Sequence, residues 1–229
     1  EHIHAMSDDQ YVDKVRAGEL YDEHGPELEG ARVRRSLVEV HHLSGRTTEA
    51  LECADLARGV FERLGERRLL AQLEVNVGNV HTRCDHYPVA RDHYLRAREL
   101  FEAEGDELGH AIAEFDLAVV EMNDNKVDGA EEALRSARER FEAAGATMWV
   151  ADCDYTLAYL ESRRGDYSLA IAGLGRAREA YEQCGKPSGV PLCDLDLAEI
   201  WLALDARRDA LAHARRAATR FEELGLTYE

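Results

Sequence analysis

The sequence repeats itself with a period of 40 residues. The stretch ARELFEAEG, which ends at Gly105, returns as ARERFEAAG and again as AREAYEQCG. Three columns keep this spacing along the whole chain: Ala17, Ala57, Ala97, Ala137, Ala177 and Ala217; Tyr21, Phe61, Phe101, Phe141, Tyr181 and Phe221; and Gly25, Gly65, Gly105, Gly145, Gly185 and Gly225. A fixed period of this length is typical of repeat arrays in which each unit packs on the next. It predicts a single quasi-linear domain.

Each unit is predicted to be a hairpin of two helices. First helices are expected over about 28–43, 68–83, 108–123, 148–163 and 188–203, and second helices over about 47–63, 87–103, 127–143, 167–183 and 207–223. The turns inside the hairpins carry residue types that tolerate a left-handed backbone: Gly45, Asp85, Asn125, Gly165 and Asp205. Glycine is expected to end each second helix.

The domain boundaries follow from this register. Residues 1–8 are interpreted as an expression-tag remnant or a disordered start, and 9–229 as the repeat domain. It comprises a half unit, 9–25, and full units over about 28–65, 68–105, 108–145, 148–185 and 188–225. Because both ends would lack polar caps, we interpret the chain as a fragment of a longer protein whose ends can self-associate.

A core stripe is predicted in the second helices. Its positions follow the spacing i, i+4, i+7, i+11: Ala90, Tyr94, Ala97 and Phe101; Ala130, Leu134, Ala137 and Phe141; and Ala170, Leu174, Ala177 and Tyr181. That spacing places all four side chains of a set on one helical face. Cys153 and Cys193 occupy equivalent small apolar positions of the first helices and are expected to be buried thiols.

Composition narrows the class of partner. The formal net charge is -18, so the surface repels phosphate and argues against nucleic-acid binding. Five cysteines without a CxxC pair are typical of reduced thiols in a cytoplasmic protein. No apolar run approaches the roughly 20 residues of a membrane span, so no membrane partner is expected.

Two stretches carry the pattern of a known repeat family. They are Asn76-Val77-Gly78-Asn79 with Tyr87 and Ala90, and Leu157-Ala158-Tyr159 with Gly165-Asp166-Tyr167 and Ala170. These residues resemble the tetratricopeptide repeat (TPR) in its longer, 40-residue bacterial form. The resemblance implies an all-α, right-handed α-solenoid. HEAT-type repeats are the alternative at this period, and the glycine and alanine columns argue against them.

The chain departs from the family pattern at two places. Acidic residues stand where the family has a large aromatic side chain early in the first helix: Glu74, Glu114, Asp154 and Asp194. The proline near the end of each unit is also missing. The final unit, about 188–225, looks like the repeats that precede caspase-like CHAT protease domains in bacteria. That resemblance implies a protease parent and supplies no catalytic residue here.

The TPR resemblance also implies a binding face. In the family, partner peptides bind the concave side, which the first helices line. The predicted partner-binding residues are Arg35, Val75, Asn79, Arg83, Ile112, Phe115, Val119, Met122, Tyr155, Tyr159, Arg163, Leu192 and Leu195. Exposed apolar positions with a polar rim favour an interaction site. The alternative is that the apolar ones are ordinary packing residues, and that the arginines are solvated or paired with glutamates rather than holding a peptide carboxylate.

The sequence shows no arrangement of residues that is typical of a catalytic or metal site. The neighbouring histidines (His41 with His42, His81 with His86, His86 with His93) lack the i, i+4 spacing of a helical metal site. We therefore expect no metal, no cofactor and no enzymatic activity. The predicted function is a protein- or peptide-binding scaffold, the regulatory arm of a CHAT-type protease. The alternative is the ligand- or peptide-sensing portion of a bacterial transcriptional regulator.

Overall fold

The structure is a computed structural model that describes residues 16, 26–126 and 129–225. Over these residues it contains ten α-helices and no strand. The chain divides into two compact units whose boundary lies between Ala130 and Glu131. The predicted half unit, 9–25, falls outside the described residues apart from Arg16, which is helical.

The helices follow one another as hairpins. In the N-terminal unit they are α1 (Glu27–Leu43), α2 (Thr47–Leu64), α3 (Arg67–Arg83), α4 (Tyr87–Glu104) and α5 (Glu107–Asn123). In the C-terminal unit they are α6 (Ala130–Ala143), α7 (Thr147–Arg164), α8 (Tyr167–Cys184), α9 (Gly189–Ala203) and α10 (Arg207–Glu223). The predicted helical hairpins are confirmed, and most helix ends lie within a residue of the expected positions.

The turns inside the hairpins use a left-handed backbone, as predicted. Asp85, Asn125 and Asp205 have φ values of 57°, 61° and 56°, although none of them is glycine. Such values are uncommon for other residue types, and aspartate and asparagine tolerate them best. A short polar side chain therefore lets the chain reverse after α3, α5 and α9, while glycine does so after α1 and α7.

The predicted core stripe is buried throughout. In α4, α6 and α8 every stripe position is at most 3% exposed. The aromatic residue at the end of the stripe packs on the backbone of the next first helix. A Cβ added to Gly109 would lie 2.4 Å from the Phe101 ring, and one added to Gly189 would lie 2.5 Å from the Tyr181 ring. These two glycines are therefore required by the aromatic column.

One helix starts later than predicted. The second helix of the third hairpin, α6, begins at Ala130 instead of about residue 127. Gly129 has a φ of 91°, which an α-helix does not allow. The amphipathic pattern predicted the helix correctly but not the point at which this glycine lets it begin.

The first helices lie on the inner side of each unit. In the part of the chain that the structure describes, helix α1 contacts α3, α3 contacts α5, and α7 contacts α9, whereas no such contact joins α2 to α4 or α8 to α10. Helices that meet across successive hairpins lie on the shorter, concave side of a stack. Among the described residues, no helix is both long and apolar enough to cross a membrane.

Candidate partner-binding face

In the C-terminal unit, α7 and α9 bring together four of the predicted binding residues. Tyr155 and Tyr159 lie one helical turn apart on α7, and Leu192 and Leu195 lie on the neighbouring α9. All four side chains are half-buried. With Asp152 and Asp196 they form what we call the first-helix face of the C-terminal unit.

The carboxylate of Asp152 is fully engaged inside this face. The Tyr181 hydroxyl donates a hydrogen bond of 2.8 Å to its Oδ1, and Lys186 Nζ lies 2.7 and 2.8 Å from its two oxygens. The Tyr155 ring lies 6.2 Å from the Tyr181 ring in a tilted contact. These bonds hold the aromatic residues of the face in place and leave Asp152 with little capacity for a ligand.

The carboxylate of Asp196 is only half engaged. It accepts a hydrogen bond from the Tyr155 hydroxyl, while its Oδ2 is buried and has no hydrogen-bond partner among the described residues. Burial raises the pKa of Asp196 to about 6, the Tyr155 hydrogen bond opposes this, and the charge of Glu199 adds to it. A buried, unpaired carboxylate oxygen is costly, so it favours the arrival of an N–H donor or a cation.

Tyr155 has a second role as a packing residue. Its ring lies against two core clusters, one around Val190 and Cys193 and the other around Leu197. Burial raises the pKa of Tyr155 most, and the charge of Asp196 raises it further. Tyr155 therefore packs against the core and also keeps part of its side chain accessible on the first-helix face.

In the N-terminal unit, the predicted apolar residues are partly accessible. Val75, Ile112, Phe115 and Val119 are half-buried on α3 and α5. Asn79, in contrast, is oriented toward the core side of its hairpin, since its Oδ1 accepts a 2.7 Å hydrogen bond from the hydroxyl of buried Tyr94.

Met122 is a correction to the predicted site. Its exposed fraction is 2%, so it is a core residue and has no surface to offer a partner. The spacing placed Met122 on the concave stripe, but near the end of α5 the side chain is covered by its surroundings.

The three predicted arginines lie in different environments. Arg83 and Arg163 are exposed, whereas Arg35 is half-buried and its Nε has no hydrogen-bond partner among the described residues. Burial lowers the pKa of Arg35, an effect opposed by Glu39 and supported by Arg32.

A polar cluster in the N-terminal unit was missed from the sequence. Glu74 is completely buried, and Arg58 Nε, His93 Nδ1 and Arg96 Nη1 lie 3.1, 2.6 and 3.2 Å from its carboxylate oxygens. Burial alone would raise the pKa of Glu74, but the hydrogen bonds from His93 and Arg58 and the charges of Arg58 and Arg96 outweigh it, so the pKa is lowered. We call these four residues the Glu74 cluster.

The same arrangement recurs in the C-terminal unit. Asp194 is 2% exposed, His213 Nδ1 lies 2.8 Å from its Oδ1, and Arg216 Nε and Nη2 each lie 3.2 Å from the same oxygen. Arg178 Nε lies 3.5 Å from Oδ2. These four residues, the Asp194 cluster, occupy the repeat positions of the Glu74 cluster three units later.

A signal for both clusters is present in the sequence. Arg58, Arg138 and Arg178 each follow a column alanine, and an acidic residue stands 16 positions after each of them. The acidic residues were recognised only as departures from the family pattern. They replace the large aromatic side chain with a buried ion pair, and the arginine column supplies its partner.

The remaining chemistry-bearing residues form no evident metal or thiol centre. His81 stacks on His93 with ring centroids 5.4 Å apart, which the sequence did not predict. Within the described part of the chain, no group of three His, Cys, Asp or Glu residues could hold a metal ion. Cys153 and Cys193 are buried as predicted, and burial raises the pKa of each thiol to about 12.

Comparison with solved structures places the fold. BtubC (BKLC) from P. vanneervenii matches with a TM-score of 0.74 at 17% identity, over 100% of this chain and 95% of that one. The Rap conjugation gene regulator of plasmid pLS20, in complex with the Phr* peptide, matches with a TM-score of 0.72 at 13% identity, over 86% of this chain and 54% of that one.

A third match names the repeat. The TPR-like repeats of a putative kinesin light chain from Podosopora anserina match with a TM-score of 0.64 at 12% identity, over 87% of this chain and 98% of that one. No family model and no curated protein matches the sequence. The likenesses therefore establish the fold alone: the chain is an all-α solenoid of TPR-like helical hairpins.

Proposed function

We propose that this chain is a protein-interaction module that binds a partner peptide on its first helices. The observation that carries the proposal is Asp196, whose buried Oδ2 finds no hydrogen-bond partner in the described part of the chain and lies on α9 with the half-buried Leu192 and Leu195. A binding site commonly combines an apolar surface with a few polar groups that fix orientation. The peptide complex of the structurally similar Rap regulator supports the same class of ligand.

The chemistry of the face indicates what the peptide carries. Asp196 accepts an N–H or cationic group, while Tyr159, Leu192 and Leu195 accept an apolar side chain one or two positions away. The net charge of -18 attracts a basic segment over distance and accelerates its association. The ligand is therefore a peptide that pairs one Lys or Arg with a neighbouring apolar residue.

The first-helix face of the N-terminal unit is proposed as a further contact region. Val75, Ile112, Phe115 and Val119 are its apolar part. Arg83, which is exposed, would meet acidic positions of the partner. This region therefore offers apolar contact area together with one cation.

The module is proposed to be the regulatory arm of a larger protein. The resemblance of its last unit to repeats that precede CHAT protease domains supports a protease as the parent. The likeness to a Rap conjugation gene regulator supports the alternative, a sensor portion of a transcriptional regulator. The two differ in what the full reading frame encodes: a His/Cys protease domain downstream, or a DNA-binding helix-turn-helix domain upstream.

The test uses a displayed peptide library and three forms of the chain. Leu202 and Leu211 are both strongly exposed, at 63% and 52%, but Leu202 shares the α9 stripe with Leu195, whereas Leu211 lies on the second helix α10. The wild type, Leu202→Lys and Leu211→Lys are panned in parallel. We expect basic–apolar peptides to be enriched by the wild type and by Leu211→Lys, and lost with Leu202→Lys, because a lysine on the face removes apolar contact and repels a basic segment.

Asp196→Asn then tests the charged contact. Enriched peptides should bind this variant at least about tenfold more weakly, because a charge-assisted hydrogen bond is replaced by a neutral one. Enrichment of the same peptides by all four forms would show that the first-helix face is not the binding site.

A further inference from the structure

The carboxylate of Asp154 differs from those of Glu74 and Asp194 in the acidic column. Asp154 stands at the repeat position of Glu74 and Asp194, and Arg138 pairs with it at 2.7 and 3.4 Å, as Arg58 and Arg178 do in the two clusters. The position that holds His93 and His213 in those clusters is occupied here by Gly173. Asp154 therefore lacks the imidazole that Glu74 and Asp194 receive from this position, as does Glu114, where Ala133 stands at the same repeat position.

A cavity of about 440 Å³ opens at this place, between α6, α7 and α8. Asp154, Gly173 and Leu157 line it. Its volume lies in the range of roughly 300–1,000 Å³ that is usual for small-molecule sites. Gly173 contributes no side chain to the cavity, and a Cβ added there would lie 2.6 Å from the Ala158 Cβ, so the cavity lies beside this close helix contact.

The second feature of this cavity is the side chain of Arg176. It stands at the repeat position of Arg96 and Arg216, both of which reach the buried carboxylate of their clusters. Arg176 lines the cavity near Gly173, yet it forms no hydrogen bond or ion pair with any residue that the structure describes. One guanidinium group therefore remains available for an anion.

The cavity also contains a negative charge, that of Glu139. Glu139 lines it from α6 and has no partner among residues 26–126 and 129–225. Arg135 and Arg138, in contrast, are held by Glu131 and Asp154. The available groups are therefore an acceptor for an N–H donor (Asp154), a cation (Arg176) and an anion (Glu139).

We propose that this cavity binds a free amino acid with an imidazole side chain, histidine or a close analogue. Its ring N–H donates to Asp154 from the cavity, a contact of the kind that His93 and His213 make with their own carboxylates. The ligand carboxylate pairs with Arg176, and its ammonium group pairs with Glu139. Leu157 and Leu169 supply apolar contact for the ring. The site is separate from the proposed peptide-binding face and does not depend on it.

Titration calorimetry on the intact chain tests the proposal with a matched series of probes. L-histidine has all three groups, histamine lacks the carboxylate, and L-phenylalanine lacks the ring N–H. An acetyl-Gly-His-Gly-amide peptide keeps the imidazole but loses both end charges. We expect histidine to bind with a Kd on the order of 1 mM or below, given its few non-hydrogen atoms, and the other probes at least about tenfold more weakly.

Two variants locate the binding. Arg176→Ala removes a side chain without partners, so the fold is preserved, and should weaken histidine binding about tenfold while leaving histamine binding unchanged. Arg208→Ala, at an exposed arginine of α10 that likewise has no partner among the described residues, is the control and should change neither. The proposal is overturned if histidine shows no saturable binding at about ten times the expected Kd. It is equally overturned if phenylalanine or the blocked peptide binds as well as histidine, or if Arg176→Ala has no effect.

Discussion

Two glycines of α8 provide a matched test of how closely α7 and α8 approach each other. A Cβ added to Gly173 would lie 2.6 Å from the Ala158 Cβ and 3.4 Å from its Cα, whereas one added to Gly175 would meet nothing within 4 Å. Both residues lie in the interior of the same helix, two positions apart. Changing each to alanine therefore adds the same methyl group to a crowded place and to an open one.

The expected magnitudes follow from two opposing effects. Alanine favours a helix over glycine by about 1 kcal/mol at either position. At residue 173 the added methyl group must push two helices apart, which typically costs about 1–3 kcal/mol. Gly175→Ala should thus stabilise the chain by up to about 1 kcal/mol, and Gly173→Ala should be about 1–3 kcal/mol less stable than Gly175→Ala.

Urea and thermal unfolding of the three proteins, followed by circular dichroism, measure the difference. For a chain of this length, 1 kcal/mol corresponds to a shift in Tm of roughly 2–4 °C. The unfolding midpoints should rank Gly175→Ala above the wild type and Gly173→Ala lowest or equal to the wild type. Equal stabilisation by both substitutions would refute the close approach at Ala158 and with it the packing described for this hairpin.

Three further predictions concern buried side chains. Glu74→Gln should destabilise the fold by about 1–3 kcal/mol at neutral pH, because Arg58 and Arg96 lose their counter-charge. Since the pKa of Glu74 is lowered on folding, its contribution is present above the unfolded pKa of about 4.3 and disappears as the pH falls through the folded value, so wild type and variant should converge in acid unfolding titrations. Asp196→Asn should stabilise the fold by about 1–3 kcal/mol near pH 7. The pKa of Asp196 is raised to about 6 on folding, so the wild type loses stability as the pH rises from the unfolded pKa of about 3.9 through about 6, and the asparagine variant does not. Equal pH dependence of the urea midpoints of variant and wild type would contradict this. Leu134→Ala removes a fully buried side chain of α6 and should cost about 2–5 kcal/mol in the same assay, and a change below about 1 kcal/mol would place Leu134 outside the core.

Much of the fold was predictable because it depends on local rules that repeat. The left-handed turns at Asp85, Asn125 and Asp205 follow from residue type alone. The buried stripe that ends at Phe101 or Tyr181 follows from helical spacing. The late start of α6 did not follow, since glycine is tolerated both inside a helix and before it, and only the backbone of Gly129 decides between the two.

The site was less predictable because burial and pairing depend on more than one helix. Position along α5 suggested an exposed Met122, whereas its surroundings cover it. One partner of Glu74, Arg58, lies 16 residues upstream on a different helix, a spacing that no single-helix pattern includes. Likewise, the glycine at position 173 becomes informative only once the structure shows that His93 and His213, at the equivalent positions, reach their carboxylates.

The most direct test of the central claim, that the first helices of the C-terminal unit bind a peptide, is site-specific photo-crosslinking. A photoreactive amino acid is placed at Leu202 on α9 or at Leu211 on α10, and each protein is irradiated with a peptide selected from the library. We predict a crosslink from position 202 that unlabelled peptide competes away, and none from position 211. A competable crosslink from position 211 without one from position 202 would contradict the account.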